Sequence, residues 1–376
     1  MRGLACEHDV SLIALSEDPR NVEAASLRSV CDVLAVVQKR SFHPRSLRSL
    51  PGFLDVRPRH IVDTMSSEVA NVARHEMDRC LFDGVVACEL ESAVYGQVWR
   101  GTPALFDDVE LAVSADAAKR ARSAYERIRR QLAWLKMRKY VAGLLEGYQA
   151  CTVVSHVERA HLAVAAPKMR NVHEIPNGVD TMALVPAGRT KKPFSLIYPG
   201  ALTYGANFDA MAYFLTEIWP RILAAEPGVT LRITGKTDGV RIDRLPTAPN
   251  VVFTGYVDDI QALVADMCAC VVPLRIGGGT RLKILEAMAL GTPVVSTRKG
   301  AEGLAVTHAK DILLADAPED FAQNVVKLLR SEPLRQELAD HARALVKGSY
   351  DWKMIGDRFR TLVEETVRAS APTVRK

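Results

Sequence analysis

Three consecutive glycines stand before a helical segment that contains a single acid, in the stretch PLRIGGGTRLKILEAMALGTPVVST at residues 273–297. Glycine loses more backbone entropy on folding than any other residue, so this run indicates that backbone must approach something closely. The N–H groups and the dipole at a helix start favour an anion such as phosphate. Thr280 is predicted to cap the helix. The segment therefore predicts an anion-binding loop.

The helix after the glycines places a cation and an acid on one face. Lys283 and Glu286 have the spacing of neighbours on a helix surface, whereas Arg281 stands nearer the helix start. With a diphosphate at the loop, Glu286 is positioned to accept hydrogen bonds from vicinal hydroxyls such as those of a ribose. The combination indicates a nucleotide site. The alternative is a plain strand–helix turn with a solvated acid, because glycine motifs alone are weak signals.

The elements that must position these groups alternate along the whole chain. Short apolar runs such as DVSLIAL, DGVVACEL and CTVVS are typical of strands, and helical stretches separate them. This alternation predicts βαβ units with buried parallel sheets, an α/β fold. In the second half, strands are expected near residues 194–198, 229–234, 251–254, 269–273 and 293–297.

Two domains and a terminal helix are predicted from the turn-rich and amphipathic stretches. The linker is placed at residues 181–192, which gives a first domain over 1–182 and a second over 183–347. Residues 348–376 read as an amphipathic helix that can cross back to the first domain. The first domain opens with LACEHDVSLIAL, a helix end followed by a strand, so we expect its usual first strand and loop to be absent.

Composition and cysteine usage narrow the class of protein. The chain has 376 residues, 48% of them hydrophobic and 25% charged, which is typical of a globular protein. Its apolar runs are shorter than the roughly 20 residues that span a bilayer, and its start lacks the apolar core of a signal peptide. The seven cysteines show no paired spacing, so neither a disulfide framework nor a metal site is indicated. A cytoplasmic location is expected.

The modest net charge of +5 is unevenly distributed, because residues 119–139 contain nine basic residues and one acid. A basic helix interleaved with Leu132, Trp134, Leu135 and Met137 is typical of peripheral contact with anionic lipid. The alternative is a helix face that is simply solvated by its long cationic side chains. Nucleic acid is not expected as a partner.

The motifs together resemble one enzyme family. GGGTRLKILEAMALGTPVVST followed by GAEGL, with IPNGVD at 175–180 and VVFTGYVDD at 251–259, resembles the group 1 (family 4) retaining glycosyltransferases with the GT-B fold. The likeness covers most of residues 150–330. It implies two Rossmann-like domains with doubly wound parallel sheets that face a cleft, with the nucleotide-sugar donor held mainly by the second and the acceptor mainly by the first. The nucleotide sugar is a substrate, and neither a cofactor nor a metal is implied.

The resemblance also implies roles for single positions. Glu286 matches the ribose-binding acid, Gly200 in YPGAL matches the glycine opposite the diphosphate, and Tyr256 with Val257 matches the segment that lines the base. The positions matched to donor binding are Gly200, Tyr256, Val257, Gly278, Gly279, Thr280 and Glu286.

The chain departs from the family pattern at three places. Family members usually carry a second glutamate where this chain has Gly278, and many carry an Arg and a Lys shortly after the glycine matched by Gly200, which GALTYGANFD lacks. Arg281 and Lys283 are predicted to replace that charge as catalytic cations. In LFDDVEL, Asp107 stands where the family often has His, which predicts that it orients a sugar or acceptor hydroxyl. The alternative is a solvated or helix-capping acid.

The leading hypothesis is a retaining glycosyltransferase that moves a sugar from a nucleotide diphosphate to a glycan or lipid-linked acceptor, in cell-surface polysaccharide or glycolipid synthesis. A non-catalytic nucleotide-sugar binding subunit is the first alternative, favoured by the incomplete first domain. A GT-B sugar-nucleotide epimerase is the second. It is disfavoured because such an enzyme needs acid and base carboxylates around the sugar, and Gly278 supplies none.

Overall fold

The computed structural model describes residues 1–21, 24–43, 46–112, 114–115, 123–186, 188 and 191–370. The chain divides into two compact units. One comprises Met1–Pro176 together with Gly356–Lys376, and the other comprises Asn177–Ile355. The division at Pro176 precedes the predicted domain boundary at 182/183, and the second division falls inside the last helix.

Parallel strands form two separate sheets in the first unit. Its described strands are β1 (Ser11–Ser16), β2 (Asp32–Gln38), β3 (Val85–Cys88), β4 (Ala104–Asp107), β5 (Ala150–Val153) and β6 (Val172–Glu174). β1 pairs only with β2 among them, while β3 to β6 form a four-stranded sheet in chain order. The sequence predicted β1, β3 and β5, but not β2, β4 and β6.

Helices cover the strands of the first unit. They are α1 (Arg2–Ala5), α2 (Ala24–Arg28), α3 (Arg59–Thr64), α4 (Ser67–Arg79), α5 (Glu89–Ala93), α6 (Ala124–Leu145) and α7 (His156–Ala165). Residues from both sheets contribute to one hydrophobic core, because Val37 of β2 belongs to the same buried cluster as Ala87 of β3 and Phe106 of β4.

A six-stranded parallel sheet is the centre of the second unit. Its strands are β7 (Lys192–Pro199), β8 (Thr230–Thr234), β9 (Val251–Gly255), β10 (Met267–Val272), β11 (Val294–Ser296) and β12 (Leu313–Leu314). The order across the sheet is β12-β11-β10-β7-β8-β9. The five strands predicted in this half are confirmed, and β12 is an addition. Every residue of β10 is buried, as expected for a strand covered on both faces.

The helices of the second unit lie along its sheet. They are α8 (Gly205–Tyr213), α9 (Trp219–Ala225), α10 (Ile260–Ala265), α11 (Leu282–Ala289), α12 (Pro318–Arg330) and α13 (Glu332–Ser349). A π turn at Phe214–Ile218 joins α8 to α9, and a single turn of 3-10 helix lies at Ile242–Arg244. The first unit has single 3-10 turns at Pro19–Asn21, Leu47–Ser49 and Pro51–Phe53.

The last helix, α14 (Trp352–Ser370), begins in the second unit and continues in the first. Within the first unit, its Leu362 is buried beside Leu105 and Ala150, and Phe359 and Val363 pack on the same cluster. This apolar face explains the helical spacing seen in the sequence. Among the described helices, none combines the length and the apolar composition that a bilayer-spanning segment needs.

Candidate functional site

The strand order of the second sheet reverses between β7 and β10. From β7 the chain continues outward through β8 and β9, and it then returns to place β10 on the other side of β7. In doubly wound sheets, ligands bind at the carboxyl ends of the strands where the order reverses. Gly200 directly follows β7, and the glycine loop follows β10, so the sheet brings the two predicted loops to this point.

Lys283 on α11 reaches the carboxyl end of β7. Its Nζ donates hydrogen bonds to Tyr198 Oη at 3.0 Å and to Asn207 Oδ1 at 2.9 Å. Tyr198 Oη in turn donates to Asn207 Oδ1 at 2.7 Å. A Cβ atom added to Gly200 would lie 2.6 Å from Lys283 Nζ. Gly200 is therefore required for the ammonium group to occupy this position.

Burial changes the chemistry of the Lys283 ammonium. It lowers the pKa of Lys283 to about 8, and the nearby Arg281 acts in the same direction. An ammonium group has three N–H donors, and two of them have hydrogen-bond acceptors among the described residues, while Nζ also lies 4.3 Å from the centre of the Tyr198 ring. The third is available to an anion, whose negative charge would favour the protonated form of the lysine.

Arg281 shapes the glycine loop. Gly277 and Gly279 have φ values of 109° and 74°, in the left-handed region that glycine adopts without strain. Arg281 is 6% exposed, and its guanidinium donates to the carbonyl oxygens of Gly278 at 2.8 Å and Gly277 at 3.0 Å. A third bond reaches the carbonyl oxygen of Lys299 at 3.1 Å. The guanidinium thus supports the backbone that a ligand would approach.

The N–H groups of the loop are available for hydrogen bonding. Those of residues 277–280 donate to no acceptor in the described part of the chain. The predicted capping role of Thr280 is wrong, because α11 begins at Leu282 and Arg281 occupies the capping position without a side-chain hydrogen bond. The Thr280 hydroxyl instead accepts a hydrogen bond from Asn177 Nδ2 at 3.2 Å. The glycine loop therefore continues through Arg281 before α11 begins.

Glu286 lies one turn into α11 and is exposed. Its carboxylate makes no hydrogen bond with a described residue. Partial burial of the carboxyl group raises the pKa of Glu286, whereas the positive charge of Lys283 lowers it. The oxygens of Glu286 are therefore free to accept hydrogen bonds from a ligand, on the same helix as the half-buried Lys283.

The loops after β8 and β9 complete this edge of the sheet. Gly235 has a φ of 110°, and a Cβ atom there would lie 2.6 Å from the backbone nitrogen of Ala201. Gly235 N also donates to the carbonyl oxygen of Gly255 at 2.8 Å, which links the two loops. Tyr256 follows Gly255 and is 69% exposed, while Val257 is half-buried. An exposed aromatic ring at this edge offers a stacking surface.

A second group of acids lies in the first unit, at the carboxyl ends of β3 and β4. Asp107 Oδ1 accepts a hydrogen bond from Thr152 Oγ1 at 2.6 Å. Burial raises the pKa of Asp107, and the Thr152 bond opposes that shift. Asp108 has a φ of 62°, and burial together with the Asp107 charge raises its pKa to about 7. The Asp107 carboxylate is therefore held in place by Thr152, whereas the Asp108 carboxyl group has a pKa near neutral pH.

Sequence reasoning missed several of these groups. Tyr198 and Asn207 look like ordinary strand and helix residues, and in LFDDVEL Asp108 is only the residue that follows Asp107. A polar Asn within the apolar stretch ANFDAMAYF was the available signal, because a buried amide needs a hydrogen-bonding partner. Within the described ranges, no group of three or more His, Cys, Asp or Glu side chains is arranged to hold a metal ion.

Comparison with known proteins identifies a family model that matches part of the second unit and curated relatives that match part of the chain. Residues 193–331 match the family model described as glycosyl transferases group 1. A GDP-mannose-dependent monoacylated alpha-(1-6)-phosphatidylinositol monomannoside mannosyltransferase from Corynebacterium glutamicum is 30% identical over 166 residues, or 41% of this chain and 44% of the relative. The chain spans less than half the length of the curated relatives it matches.

Solved structures resemble nearly the whole chain. Sucrose-phosphate synthase from Thermosynechococcus elongatus matches 98% of this chain and 92% of its own, with 18% identity and a TM-score of 0.72. HepE from Anabaena, solved in complex with UDP and glucose, matches 95% of this chain and 100% of its own, with 15% identity and a TM-score of 0.65.

Proposed function

We propose that this chain, which carries a group 1 glycosyltransferase domain within a GT-B fold, transfers a sugar from a nucleotide diphosphate to a glycan or lipid-linked acceptor with retention of configuration. The observation that carries the proposal is the position of Lys283 Nζ against Gly200, beside a loop whose N–H groups lack partners among the described residues. A half-buried cation and backbone donors together fit a diphosphate.

The donor is held by four features of the second unit. The loop N–H groups and Lys283 bind the diphosphate, Glu286 accepts from the ribose hydroxyls, and Tyr256 with Val257 lies along the base. Support for a nucleotide sugar comes from HepE, whose structure contains UDP and glucose, and from the mannosyltransferase named as GDP-mannose-dependent. Arg281 acts by fixing the loop carbonyls, which keeps the loop N–H groups directed at the phosphate.

In the transfer step, the bond between the anomeric carbon and the diphosphate oxygen breaks, and the acceptor oxygen bonds to that carbon on the same face. The acceptor proton passes to the departing phosphate oxygen. Lys283 and the loop donors stabilise the negative charge that develops on the leaving group. Asp107, with Asp108 beside it, orients a hydroxyl of the sugar or acceptor. No metal is assigned a role, because Lys283 supplies a cation at the diphosphate.

The decisive experiment is incubation with UDP- and GDP-sugars and with candidate polysaccharide or glycolipid acceptors. Transfer releases the nucleoside diphosphate and yields a product whose anomeric configuration, read by NMR, matches the donor. A changed sugar still joined to its nucleotide would instead indicate the epimerase, and binding without release would indicate the non-catalytic subunit. Inversion at the anomeric carbon would contradict the retaining mechanism.

We further propose that α6 rests on the cytoplasmic face of an anionic membrane. Tyr125, Ile128, Leu132 and Leu135 recur at helical spacing, and each is more than half exposed. Trp134 and Met137, expected in the same stripe, instead pack on the core. An exposed apolar stripe flanked by cations is typical of helices that lie in the lipid interface.

The charge and a neighbouring loop extend this surface. Arg127 and Arg129 are exposed, whereas the predicted contributors Lys119, Arg120 and Arg122 fall outside the described residues. Lys136 Nζ donates to the carbonyl oxygen of Phe53 at 2.8 Å, which holds the adjacent Leu54, 95% exposed, beside the helix. Apolar side chains from two segments therefore share one basic surface, which suits a lipid-linked acceptor.

A further inference from the structure

A large cavity lies in the first unit at the amino ends of β4 and β5. Thr102 and Gln149, which shortly precede these two strands, are part of its wall. Its volume is about 950 Å³, which is large enough for a small-molecule ligand. β4 has four residues and spans about 13 Å, so this cavity is separate from Asp107 and Asp108 at the carboxyl end of the strand. We call it the basal cavity.

Two cations without partners line the basal cavity. Arg100 lies in the loop before β4, and Lys139 lies on α6. Both are exposed, and neither side chain has a hydrogen-bond or ion-pair partner among the described residues. Tyr140 adds a hydroxyl group that also has no hydrogen-bond partner in the described part of the chain. An arginine and a lysine brought together from two elements, with a hydroxyl donor in the same cavity, fit a phosphate group.

The other charges at the basal cavity are already paired. Arg57, in the wall, donates to the two carboxylate oxygens of Asp55 at 3.0 Å and 2.7 Å. Among the described residues that line the cavity, the only acid is Glu146, which lies 3.8 Å from Lys168 Nζ. Each acid therefore has a cation of its own. The two cations without partners leave the cavity with a net positive charge.

The basal cavity lies at the end of the exposed apolar stripe of α6. Lys139 follows Leu132 by seven residues and Leu135 by four, so it lies on the same face of the helix. Gly143, which also lines the cavity, continues that face four residues further on. Leu135 and Lys139 are about 6 Å apart along the helix axis. The apolar stripe therefore leads directly to the cationic cavity.

The loop that contains Leu54 supplies a further apolar side chain at the basal cavity. Val56 lines the cavity and is 68% exposed. Lys136 Nζ donates to the carbonyl oxygen of Asp55 at 2.8 Å, which fixes this loop against α6. Exposed apolar side chains of the loop and of α6 thus adjoin a positively charged cavity. This arrangement suits a molecule with an anionic head and apolar chains better than it suits a free anion.

We propose that the basal cavity binds the phosphate group of an anionic glycerophospholipid whose headgroup carries hydroxyl groups, as in phosphatidylglycerol. The inference rests on the membrane contact proposed above for α6. A helix in the interface buries its apolar face about 5–10 Å into the boundary between headgroups and acyl chains. The cations at the end of the same helix face then lie at the depth of the lipid phosphates. The lipid is an anchor at this cavity and not the sugar acceptor.

The side chains of the basal cavity select the headgroup by charge and by hydrogen bonding. The lipid phosphate pairs with Arg100 and Lys139. The Tyr140 hydroxyl and the Gln97 amide, both in the wall, can exchange hydrogen bonds with headgroup hydroxyls. A choline headgroup carries its own positive charge and has no hydroxyl group. It therefore gains less from this cavity.

The test uses dibutanoyl phosphatidylglycerol, whose chains are too short to form a bilayer, so binding is read without a membrane surface. Dibutanoyl phosphatidylcholine is the matched lipid with a zwitterionic headgroup. Glycerophosphoglycerol, which has the same headgroup and charge but no acyl chains, represents a free phosphate source. Each compound is titrated against the full chain, and affinity is measured by ligand-observed NMR.

One variant fills the basal cavity. A Cβ atom added to Gly143 meets nothing within 4 Å, and a helix accepts leucine more readily than glycine, so Gly143→Leu should fold and occupy the space of the ligand. Gly348→Leu is the matched control. Gly348 is an exposed glycine on α13 of the second unit, and a Cβ atom there also meets nothing within 4 Å.

A second variant removes the charge and leaves the space open. Arg100→Gln with Lys139→Gln takes both unpaired cations from the basal cavity. Arg244→Gln with Lys310→Gln is the matched control, because it removes one arginine and one lysine from exposed positions in the second unit.

The parent should bind the short-chain phosphatidylglycerol about tenfold or more tightly than the phosphatidylcholine, because of the net charge of the cavity. It should also bind it about tenfold or more tightly than glycerophosphoglycerol, because the acyl chains contact the apolar rim. The space-filling variant and the charge variant should each lose about tenfold or more in affinity, the loss expected when hydrogen bonds to a charged group are broken. Both controls should bind as the parent does.

Equal binding of the two short-chain lipids by the parent would overturn the proposal. Unchanged affinity in either cavity variant would also overturn it, because the lipid would then bind elsewhere. Glycerophosphoglycerol that binds as tightly as the short-chain lipid would show a site for a free phosphate compound and not for a lipid. If a variant fails to fold, the comparison of the three compounds with the parent still decides.

This test can fail separately from the proposed function. Short-chain lipid binding by a protein that does not sediment with anionic vesicles would support the basal cavity and contradict the membrane contact of α6. Sedimentation that requires Leu132 and Leu135, with no short-chain lipid binding, would support the membrane contact and overturn the cavity proposal. Neither measurement depends on sugar transfer.

Discussion

Lys283 occupies space that any side chain at position 200 would need, since a Cβ atom on Gly200 would lie 2.6 Å from Lys283 Nζ. The glycine after β7 and the lysine on α11 are thus a matched pair. The sequence resemblance points to Gly200 and to a missing Arg and Lys after it. The structure supplies that charge from a different element, because β7 and β10 are neighbours in the sheet.

Replacing Gly200 by Ala should displace the Lys283 ammonium and weaken nucleoside diphosphate binding by about tenfold or more, the loss expected when a hydrogen bond to a charged group is broken. Calorimetric titration with UDP and GDP measures this. Gly205→Ala is the matched control, because a Cβ atom there meets nothing within 4 Å. If the Gly200→Ala and Gly205→Ala variants bind UDP and GDP with equal affinity, position 200 does not contribute to the diphosphate site.

Glu286→Gln should weaken nucleotide binding by about 1.5–3 kcal/mol, because the neutral amide accepts more weakly from the two ribose hydroxyls. The comparison of UDP with its 2′-deoxy analogue is the sharper measurement: the parent should prefer UDP, and the variant should not. Glu337→Gln, an exposed acid on α13, is the control. If the Glu286→Gln variant still prefers UDP to its 2′-deoxy analogue, Glu286 does not bind the ribose.

Asp108→Asn should stabilise the protein at alkaline pH. A carboxyl group whose pKa is raised on folding binds protons more tightly in the folded state, so its effect on stability turns unfavourable as pH rises from about 4 through 7. The pKa of Asp108 is about 7, so the parent should lose stability relative to the variant over this window and not below it. Asn also tolerates the left-handed backbone.

Thermal unfolding of the Asp108→Asn variant and the parent, scanned from acid to alkaline buffer, gives this comparison. Asp83→Asn, at an exposed position before β3, is the control and should leave the profile unchanged. A stability difference that does not vary with pH would show that the substitution acts through packing instead of charge.

Anionic vesicles should bind the parent protein at low salt, and the attraction should fade as the Debye length falls from about 10 Å at 0.1 M to about 3 Å at 1 M. Two variants separate the contributions. Leu132→Ser with Leu135→Ser removes apolar contact, and Arg127→Gln with Arg129→Gln removes charge. Both should reduce cosedimentation, whereas Val252→Ser in the other unit should not. If the parent protein does not sediment with anionic vesicles even at low salt, α6 is a solvated helix and makes no membrane contact.

Most of the second unit could be predicted from the sequence, because its strands are continuous apolar runs separated by clear turns. β10 is the plainest case, with every residue buried. β12 was missed because it has only two residues, Leu313 and Leu314, which carry no periodic signal. β4 was missed because only three apolar residues, 104–106, precede the acids Asp107 and Asp108, and such a short run carries little strand signal.

The candidate site was predictable in its residue types and less so in its geometry. The glycine loop, Lys283 and Glu286 follow from local spacing on one helix. The partners of Lys283 do not, because Tyr198 and Asn207 meet it only through the pairing of β7 with β10. Arg281 was predicted to act as a catalytic cation, yet its guanidinium donates to two carbonyl oxygens of the glycine loop and to that of Lys299, contacts that spacing alone cannot show.

The central claim is that Lys283 holds the diphosphate, and the most direct measurement compares UDP with uridine, or GDP with guanosine, in the parent and in Lys283→Met. The diphosphate should lose about ten- to a hundredfold in affinity while the nucleoside binds as before. In the parent, diphosphate affinity should also fall as pH rises through the lysine pKa of about 8, because the ammonium loses its charge, and the variant should lack this dependence. Undiminished UDP and GDP binding in a folded Lys283→Met protein, with the same pH profile as the parent, would contradict the account.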